Sequence, residues 1–321
     1  MSASPKKVLL LTPRGFCAGV VRAIDVVNIA LETFGAPIYV RREIVHNRRV
    51  VAELAAKGAV FVREVDEVPE GGRVIFSAHG VSPAVRARCR ERRLNVIDAT
   101  CPLVTKVHLE AVRFAREAYS LVLIGHREHD EIEGTLGEAP ESTQVVSSTA
   151  EIASLQVLNP DRVAYLTQTT LSLTESRDII AALKARFPKA VGPQTQDICY
   201  ATENRQQAVS GVADRADLVL VVGSKNSSNS NRLVEVARNL GTKGYLIDDA
   251  MDIEPQWLET ASVVAVTAGA SAPEVLVEGV LEKLREHGYG EAQEILFRVE
   301  DLRFGLPAEL GPKAQTADAR P

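Results

Sequence analysis

The sequence predicts an α/β protein that is built from three similar repeats with mainly parallel sheets. Short apolar runs rich in β-branched residues alternate with helical patterns along most of the 321 residues, which is typical of parallel strands joined by helices. A cysteine recurs near the start of a helix in each repeat, at Cys17, Cys101 and Cys199. Alternation alone occurs in any α/β protein, but it does not explain the recurring cysteine, so we expect three domains related by an approximate threefold.

The cysteines mark how each repeat begins. Strand Val8 to Leu11 leads to Cys17, and strand Val96 to Ile97 leads to Cys101; apolar residues then recur at helical spacing. The sequence QDIC leads to Cys199 and to a more polar helix with a weaker apolar stripe. We therefore predict one α/β repeat with an N-terminal strand in 1–100, further repeats in 101–197 and 198–288, and a C-terminal strand with a polar tail in 289–321.

Composition narrows the possible classes of protein. A formal net charge of -5 argues against nucleic-acid binding, which needs a basic surface. The opening MSASPKKVLLLTP lacks the features of a secretory signal, and no apolar stretch reaches the roughly 20 residues of a membrane helix. Four cysteines are too few for a disulfide scaffold. We expect a cytoplasmic protein that has reduced thiols and no membrane contact.

The recurring cysteines are candidate metal ligands. Their long spacing matches neither a zinc knuckle nor a ferredoxin motif, but equivalent positions in three related repeats would converge on one axis. A helix N-terminus also favours a thiolate. Three thiolates can hold a cubane cluster and leave one iron open to bind a hydroxyl group. The alternative is that these cysteines are inert and buried, as we expect for Cys89, which lies outside the repeat.

Polar loops at matching places in the repeats predict a phosphate site. The loop GSKNSSNSNR, which ends at Arg232, has hydroxyls and amides between a strand and a helix, where backbone N–H groups can bind phosphate. A merely solvated loop is the alternative. Because His46, His79 and Ser271 are predicted at the corresponding strand ends, a diphosphate pocket is the better interpretation.

Three further residues are candidates for proton transfer. His129 and Glu131, in GHREHDEIEGT, supply a base and an acid two positions apart. An exposed carboxylate is the alternative for Glu131, since its surroundings in the sequence are highly charged. Thr169, in QTTLS, can orient a hydroxyl towards Glu131, or it can simply cap a helix.

The chain resembles the 4-hydroxy-3-methylbut-2-enyl diphosphate reductase family over nearly its whole length. The resemblance is carried by the segments PRGFCAGV, EIVHN, SAHGVSP, DATCP, EIEGT, TQTTLS, GSKNSSNSNRL and TAGASAPE. It implies a trefoil of three α/β domains around a four-iron, four-sulfur cluster. It also implies reductive dehydroxylation of an allylic alcohol to isopentenyl and dimethylallyl diphosphate, the final step of the non-mevalonate isoprenoid pathway.

The resemblance also implies roles for individual residues. The implied cluster ligands are Cys17, Cys101 and Cys199, and the implied proton donor is Glu131, assisted by Thr169. The implied substrate-binding residues are His46, His79, His129, Thr169, Ser227, Ser228, Asn229 and Ser271. Electrons would come from an external donor such as ferredoxin or flavodoxin with its reductase. The chain departs from the family at Asp130, where a proline is expected, and this extra carboxylate is expected to affect the proton path.

The sequence is also compatible with two other functions. One is a non-redox, metal-dependent hydrolase or dehydratase of a small diphosphate, which would use the same three cysteines. The other is a binding protein for phosphorylated ligands, in which the cysteines belong to the core.

Overall fold

The computed structural model describes residues 6–311; the end of the predicted polar tail, from residue 312, lies outside the described residues. The strands are β1 (Lys7–Thr12), β2 (Ile38–Arg41), β3 (Ala59–Val62), β4 (Arg73–Phe76), β5 (Asn95–Asp98), β6 (Ser120–Ile124), β7 (Thr143–Val146), β8 (Val163–Thr167), β9 (Leu218–Val222), β10 (Lys243–Ile247), β11 (Val263–Ala268) and β12 (Ala292–Leu296). The helices are α1 (Ala18–Phe34), α2 (Arg48–Ala56), α3 (Pro83–Glu91), α4 (Pro102–Arg116), α5 (Asp130–Leu136), α6 (Leu173–Arg186), α7 (Tyr200–Ser210), α8 (Ser228–Asn239), α9 (Pro255–Glu259) and α10 (Glu274–Glu286).

The predicted α/β class is confirmed. Strands and helices alternate along the chain, and the strands form three sheets in the orders β10-β9-β11-β1-β12, β3-β2-β4-β5 and β7-β6-β8. Every strand pair within these sheets is parallel. Parallel neighbours need a crossover connection, and helices supply most of them here.

The chain divides into two compact units. Unit 1 contains the described residues up to 17, residues 46–50 and residues 200–302; unit 2 contains residues 18–45, 51–199 and the described residues from 303. The five-stranded sheet belongs to unit 1, and the other two sheets belong to unit 2. The division predicted from the sequence, into 1–100, 101–197, 198–288 and 289–321, stays a prediction.

The sheet of unit 1 is buried on both faces. Successive residues of β1 point to opposite faces, so Val8 and Leu10 join one apolar core while Leu9 and Leu11 join the other. The first core is completed by residues of α10, and the second by residues of α7 and α8. This double burial explains why β1 and β9 are continuous apolar runs in the sequence.

Unit 2 has separate cores for its two sheets. The four-stranded sheet packs Val74 and Phe76 against Cys89 of α3. The three-stranded sheet has apolar residues on both faces, with Leu123 on one side and Val122 on the other. No helix among residues 6–311 combines the length and the apolar character that crossing a membrane requires.

The segment that leads to Cys199 differs in form from the other two. β1 and β5 are strands, as predicted, whereas QDIC is irregular. Asp197 explains the difference, because its carboxylate accepts a hydrogen bond from the backbone N–H of Thr167 at 2.9 Å. The side chain of Asp197 therefore holds this segment against the end of β8. In a strand, backbone hydrogen bonds would make that connection.

Candidate functional site

Each of the three repeated cysteines is fixed by the same backbone contact. The amide N–H of Cys17 donates to the carbonyl of Ala270 (3.2 Å), that of Cys101 to Ala78 (3.0 Å) and that of Cys199 to Thr169 (3.0 Å). Each acceptor follows the end of a strand, β11, β4 or β8, and a helix begins at the residue after each cysteine. The repeat predicted from the cysteines is therefore present as a repeated hydrogen bond.

The environment of the thiols separates these cysteines from the fourth one. Cys17, Cys101 and Cys199 form no disulfide and are partly exposed, whereas Cys89 is 1% exposed. Burial in the core of the four-stranded sheet raises the pKa of the Cys89 thiol, which makes it a poorer ligand and nucleophile. The geometry agrees with the interpretation of Cys89 as a core residue.

Unit 1 gathers five of the predicted phosphate-binding residues around the turn between β9 and α8. Asn229 donates from Nδ2 to Ser227 Oγ (2.9 Å), and its Oδ1 accepts the backbone N–H of Ala270 (2.7 Å). Ser271 Oγ donates to the backbone carbonyl of His46 at 2.9 Å. Ser228, also predicted, is the first residue of α8, so it lies at a helix N-terminus that favours anions.

Two glycines allow the first turn of α8 to pack closely against the ends of β9 and β11. A Cβ atom on Gly223, after β9, would lie 2.3 Å from Ser230 Oγ, and one on Gly269, after β11, would lie 2.0 Å from the same atom. Ser230 itself is fully buried and donates to Ser227 Oγ at 2.9 Å. The absence of side chains at both glycines therefore sets the shape of this polar turn.

Unit 2 holds the predicted acid in a buried contact with Thr169. Glu131 is 2% exposed, so the alternative of a solvated carboxylate is wrong. Its Oε1 accepts the backbone N–H of Thr169 at 2.6 Å, and its Oε2 accepts the Thr169 hydroxyl at 2.9 Å. Thr169 does not cap helix α6, because Ser172 is its N-cap residue and accepts the backbone N–H of Glu175. Thr169 instead connects the acid to Cys199, because its backbone carbonyl accepts the amide N–H of Cys199 at 3.0 Å.

Burial changes the acidity of Glu131. Removal from water raises the pKa of its carboxyl group from 4.5 to about 7, the two bonds from Thr169 oppose this rise, and the negative charge of Asp197 adds to it. A carboxyl group with a pKa near neutrality can both hold and release a proton under ordinary conditions. The site therefore contains a group that is suited to general acid catalysis.

His129 and His79 lie beside this acid in unit 2. Nδ1 of His129 accepts the backbone N–H of Glu131 at 3.2 Å, a contact that favours the neutral tautomer with its proton on Nε2. The rings of His79 and His129 are perpendicular, with centroids 5.8 Å apart. Unit 2 thus brings together His79, His129, Glu131 and Thr169.

The unusual Asp130 is engaged in an ion pair. Its carboxylate accepts a short hydrogen bond from Arg42, which also contacts Glu133 at 2.8 Å. The other carboxylate oxygen lies 4.0 Å from Nδ1 of His79. The extra charge therefore faces the guanidinium of Arg42 and the ring of His79, a residue predicted to bind the substrate. Its expected effect on the proton path stays a prediction.

Two charged residues near Cys199 were missed by the sequence analysis. Lys106 Nζ contacts the buried carboxylate of Asp197 at 2.9 Å and the backbone carbonyl of Gln196 at 3.2 Å. Lys106 lies on α4, which starts after Cys101, so it ties this helix to the segment before Cys199. The sequence signal for this contact was Asp197 in QDIC, two positions before Cys199. Its partner Lys106 lies 91 positions earlier in the chain, so the pair could not be predicted.

The fold and these groupings define a class of protein: an α/β enzyme with repeated thiols, a polar anion turn and a buried acid. The chain belongs to the LytB protein family, whose model matches residues 8–285.

Named relatives agree with this family. The chain is 56% identical over 306 residues to a 4-hydroxy-3-methylbut-2-enyl diphosphate reductase of Leifsonia xyli subsp. xyli (strain CTCB07), covering 95% of this chain and 91% of the relative. It is 56% identical over 305 residues to the enzyme of that name from Aromatoleum aromaticum (strain DSM 19018 / LMG 30748 / EbN1), covering 95% and 98%. The solved E-1-hydroxy-2-methyl-but-2-enyl-4-diphosphate reductase of Plasmodium falciparum matches with a TM-score of 0.94 and 36% identity, covering 98% of this chain and 99% of that chain. The family predicted from the sequence motifs is confirmed.

Replacing Asn229 by alanine should weaken the binding of inorganic pyrophosphate about tenfold to a hundredfold, because hydrogen bonds to charged groups contribute roughly 1.5 to 3 kcal/mol. The substitution also leaves the Ala270 N–H without its acceptor. Isothermal titration calorimetry measures the change. Asn239→Ala, at the exposed far end of the same helix, is the matched control. Equal affinities for the two variants would contradict the anion turn.

The raised pKa of Glu131 should appear as a pH dependence of stability. Between pH 4.5 and about 7 the folded protein keeps a proton that the unfolded chain releases, so the free energy of unfolding falls as pH rises through this window. The shift corresponds to at most about 3 kcal/mol. Relative to wild type, Glu131→Gln should therefore gain stability between pH 5 and pH 7.5 in urea unfolding. Glu128→Gln, on the exposed part of the same loop, should show no such gain, and equal behaviour of the two variants would refute the assignment.

Proposed function

We propose that this chain removes the hydroxyl group of 4-hydroxy-3-methylbut-2-enyl diphosphate by reduction, as the final step of non-mevalonate isoprenoid synthesis. The substrate would take up two electrons and two protons, lose water, and give isopentenyl or dimethylallyl diphosphate. The names of the relatives support this reaction. The observation in this chain that carries it is the buried Glu131–Thr169 pair, because loss of a hydroxyl group as water needs a proton donor.

The proposed cofactor is a four-iron, four-sulfur cluster held by Cys17, Cys101 and Cys199. The donor set fits, because all three are partly exposed thiols outside any disulfide and have the same backbone anchor, and thiolates are the usual ligands of such clusters. When bound, the cluster would supply electrons and a Lewis-acidic iron.

The residues of unit 2 would handle protons. Glu131, with its pKa of about 7, would donate the proton that lets the substrate oxygen leave as water. Thr169 would orient and relay that proton, since its hydroxyl bonds Glu131 Oε2 at 2.9 Å but is too weakly acidic to donate alone. His129, protonated on Nε2, would serve as a neutral hydrogen-bond donor to the substrate.

The polar residues would bind the two phosphate groups. Ser227, Ser228, Asn229 and Ser271 would present hydroxyls, an amide and the N-terminus of α8 to phosphate oxygens, as other anion sites at helix N-termini do. His46 and His79 would supply further donors. Binding the diphosphate at a fixed place would hold the allylic end where the proton donor acts, which lowers the entropic part of the barrier.

The electrons would come from an external carrier, such as ferredoxin or flavodoxin with its reductase. An open groove of about 650 Å³ in unit 2 is lined by Thr100 and Pro102, the two neighbours of Cys101, which supports access by a partner protein from this side. We propose a cytoplasmic reaction without membrane or nucleic-acid partners, in agreement with four cysteines that form no disulfide and with the acidic net charge.

Replacing the repeated cysteines tests the cofactor assignment. Cys17→Ala, Cys101→Ala and Cys199→Ala should each lose iron and reductase activity under anaerobic conditions, because each removes a thiolate ligand. Cys89→Ala, the buried control, should keep both. Iron analysis and turnover with reduced methyl viologen measure the outcome. Normal iron content in Cys101→Ala would remove the basis for the cluster.

Replacing Glu131 by glutamine tests the proton donor. The variant keeps the size and polarity of the side chain but carries no transferable proton, so iron content and substrate affinity should persist while turnover falls about 100-fold to 10,000-fold. The measurement is kcat with saturating substrate and the same electron supply. Glu128→Gln should turn over normally. A near wild-type rate for Glu131→Gln would transfer the role to His129 or to solvent.

A further inference from the structure

Helix α7 has a buried face that is polar. It starts directly after Cys199, and the sequence shows only a weak apolar stripe there. Asn204, Arg205 and Gln206 are all at most 3% exposed, and Arg205 at 1% is among the largest fully buried side chains. Because a buried charge is unfavourable unless it is paired and hydrogen-bonded, the partners of Arg205 indicate what this helix does.

The guanidinium of Arg205 joins two parts of unit 1. Its Nη2 donates to the carbonyl of Gly15 at 2.8 Å, and its Nη1 donates to Glu300 Oε1 at 3.0 Å. Asn204 Nδ2 donates to the same carboxylate oxygen at 2.9 Å. One edge of the cation therefore faces the turn that carries Cys17, and the other faces an anion on the C-terminal segment.

The turn at Gly15 has a backbone conformation that favours glycine. Gly15 has a φ of +65°, and a Cβ atom there would lie 3.1 Å from the carbonyl oxygen of Ala272, so the position requires glycine. Two residues later, the N–H of Cys17 bonds Ala270. Arg205 thus holds the Gly15 carbonyl on one side of a turn whose other end is fixed by the strand end that carries Ser271.

Stability alone does not account for this pair. Replacing a buried ion pair by apolar residues of similar volume is often neutral or stabilising, because desolvation offsets the attraction between the charges. Fixed charges and hydrogen bonds close to cluster ligands, however, change the reduction potential of iron–sulfur centres.

We propose that Arg205 is a positioning residue for the cluster: it fixes the Cys17 turn and places a permanent positive charge beside it, which Glu300 partly balances. The proposal rests on the cluster suggested above. Adding an electron makes the cluster more negative, so Arg205 favours the reduced state and Glu300 disfavours it.

The test is a potentiometric titration of anaerobically purified protein, followed by visible absorption and electron paramagnetic resonance. Arg205→Gln should lower the midpoint potential, Glu300→Gln should raise it, and the double substitution should lie between them. Each single change should alter the reduction equilibrium on the order of tenfold, which is 59 mV for one electron. Arg205→Lys keeps the charge and should stay close to wild type.

The signs of the two shifts decide the proposal, because loss of packing alone would not move the potential in opposite directions. Arg298→Gln, an exposed arginine two positions from Glu300, should leave the potential unchanged. If Arg205→Gln does not retain a cluster, the midpoint potential of Glu300→Gln, which keeps the guanidinium, tests the proposal. Shifts of one sign, or no shift in Glu300→Gln, would overturn the role of Arg205. A wild-type protein without iron and sulfide would instead overturn the proposed function.

Discussion

The hydrogen bond from each repeated cysteine to the end of a neighbouring strand is the constraint on which the site depends. In all three cases the bond joins the last residue before a helix to a carbonyl just beyond a parallel strand. The residues near these carbonyls are the predicted polar ones, with Ser271 next to Ala270 and His79 next to Ala78. Thr169 supplies both the carbonyl that anchors Cys199 and the hydroxyl that bonds Glu131. In each case, the same turn therefore fixes a cysteine and a residue that is predicted to contact the substrate.

Burial gives the charged groups near these turns different chemistry. Glu131 lies away from water with only Thr169 as a bonding partner for its carboxylate among the contacts described, so its pKa rises and the acid can keep its proton. Asp197 is also buried, and burial raises the pKa of its carboxyl group, although the hydrogen bonds from Thr167 and Lys106 oppose this rise. The buried guanidinium of Arg205 donates to Glu300 and to the backbone carbonyls of Ala201 and Gly15. Burial therefore makes Glu131 suitable as a proton donor, whereas the buried Arg205 forms an ion pair with Glu300.

Much of the structure around the cysteines was predictable from sequence, because the strand, helix and turn patterns that predict it are local. The strands leading to Cys17 and Cys101 and the helices that follow have clear periodicity, and the family motifs mark the polar turns. The structure of the segment before Cys199 was harder to predict, because a hydrogen bond to the Asp197 side chain takes the place of strand pairing there.

Long-range charge pairs were beyond sequence reasoning. Arg205 and Glu300 are 95 positions apart, and charged residues in a helical pattern usually indicate a solvated face. The burial of Glu131 was equally hidden within the charged stretch HREHDEIE. Only the packing of distant segments shows which of these charges have lost contact with water.

The proposal that the repeated cysteines carry an iron–sulfur cluster is tested most directly by the iron and acid-labile sulfide content of anaerobically purified wild-type protein, with its visible spectrum. If the cluster is present, the protein is brown and holds roughly four iron and four sulfide per chain. A colourless protein that holds zinc without sulfide would contradict it and favour a non-redox hydrolase or dehydratase.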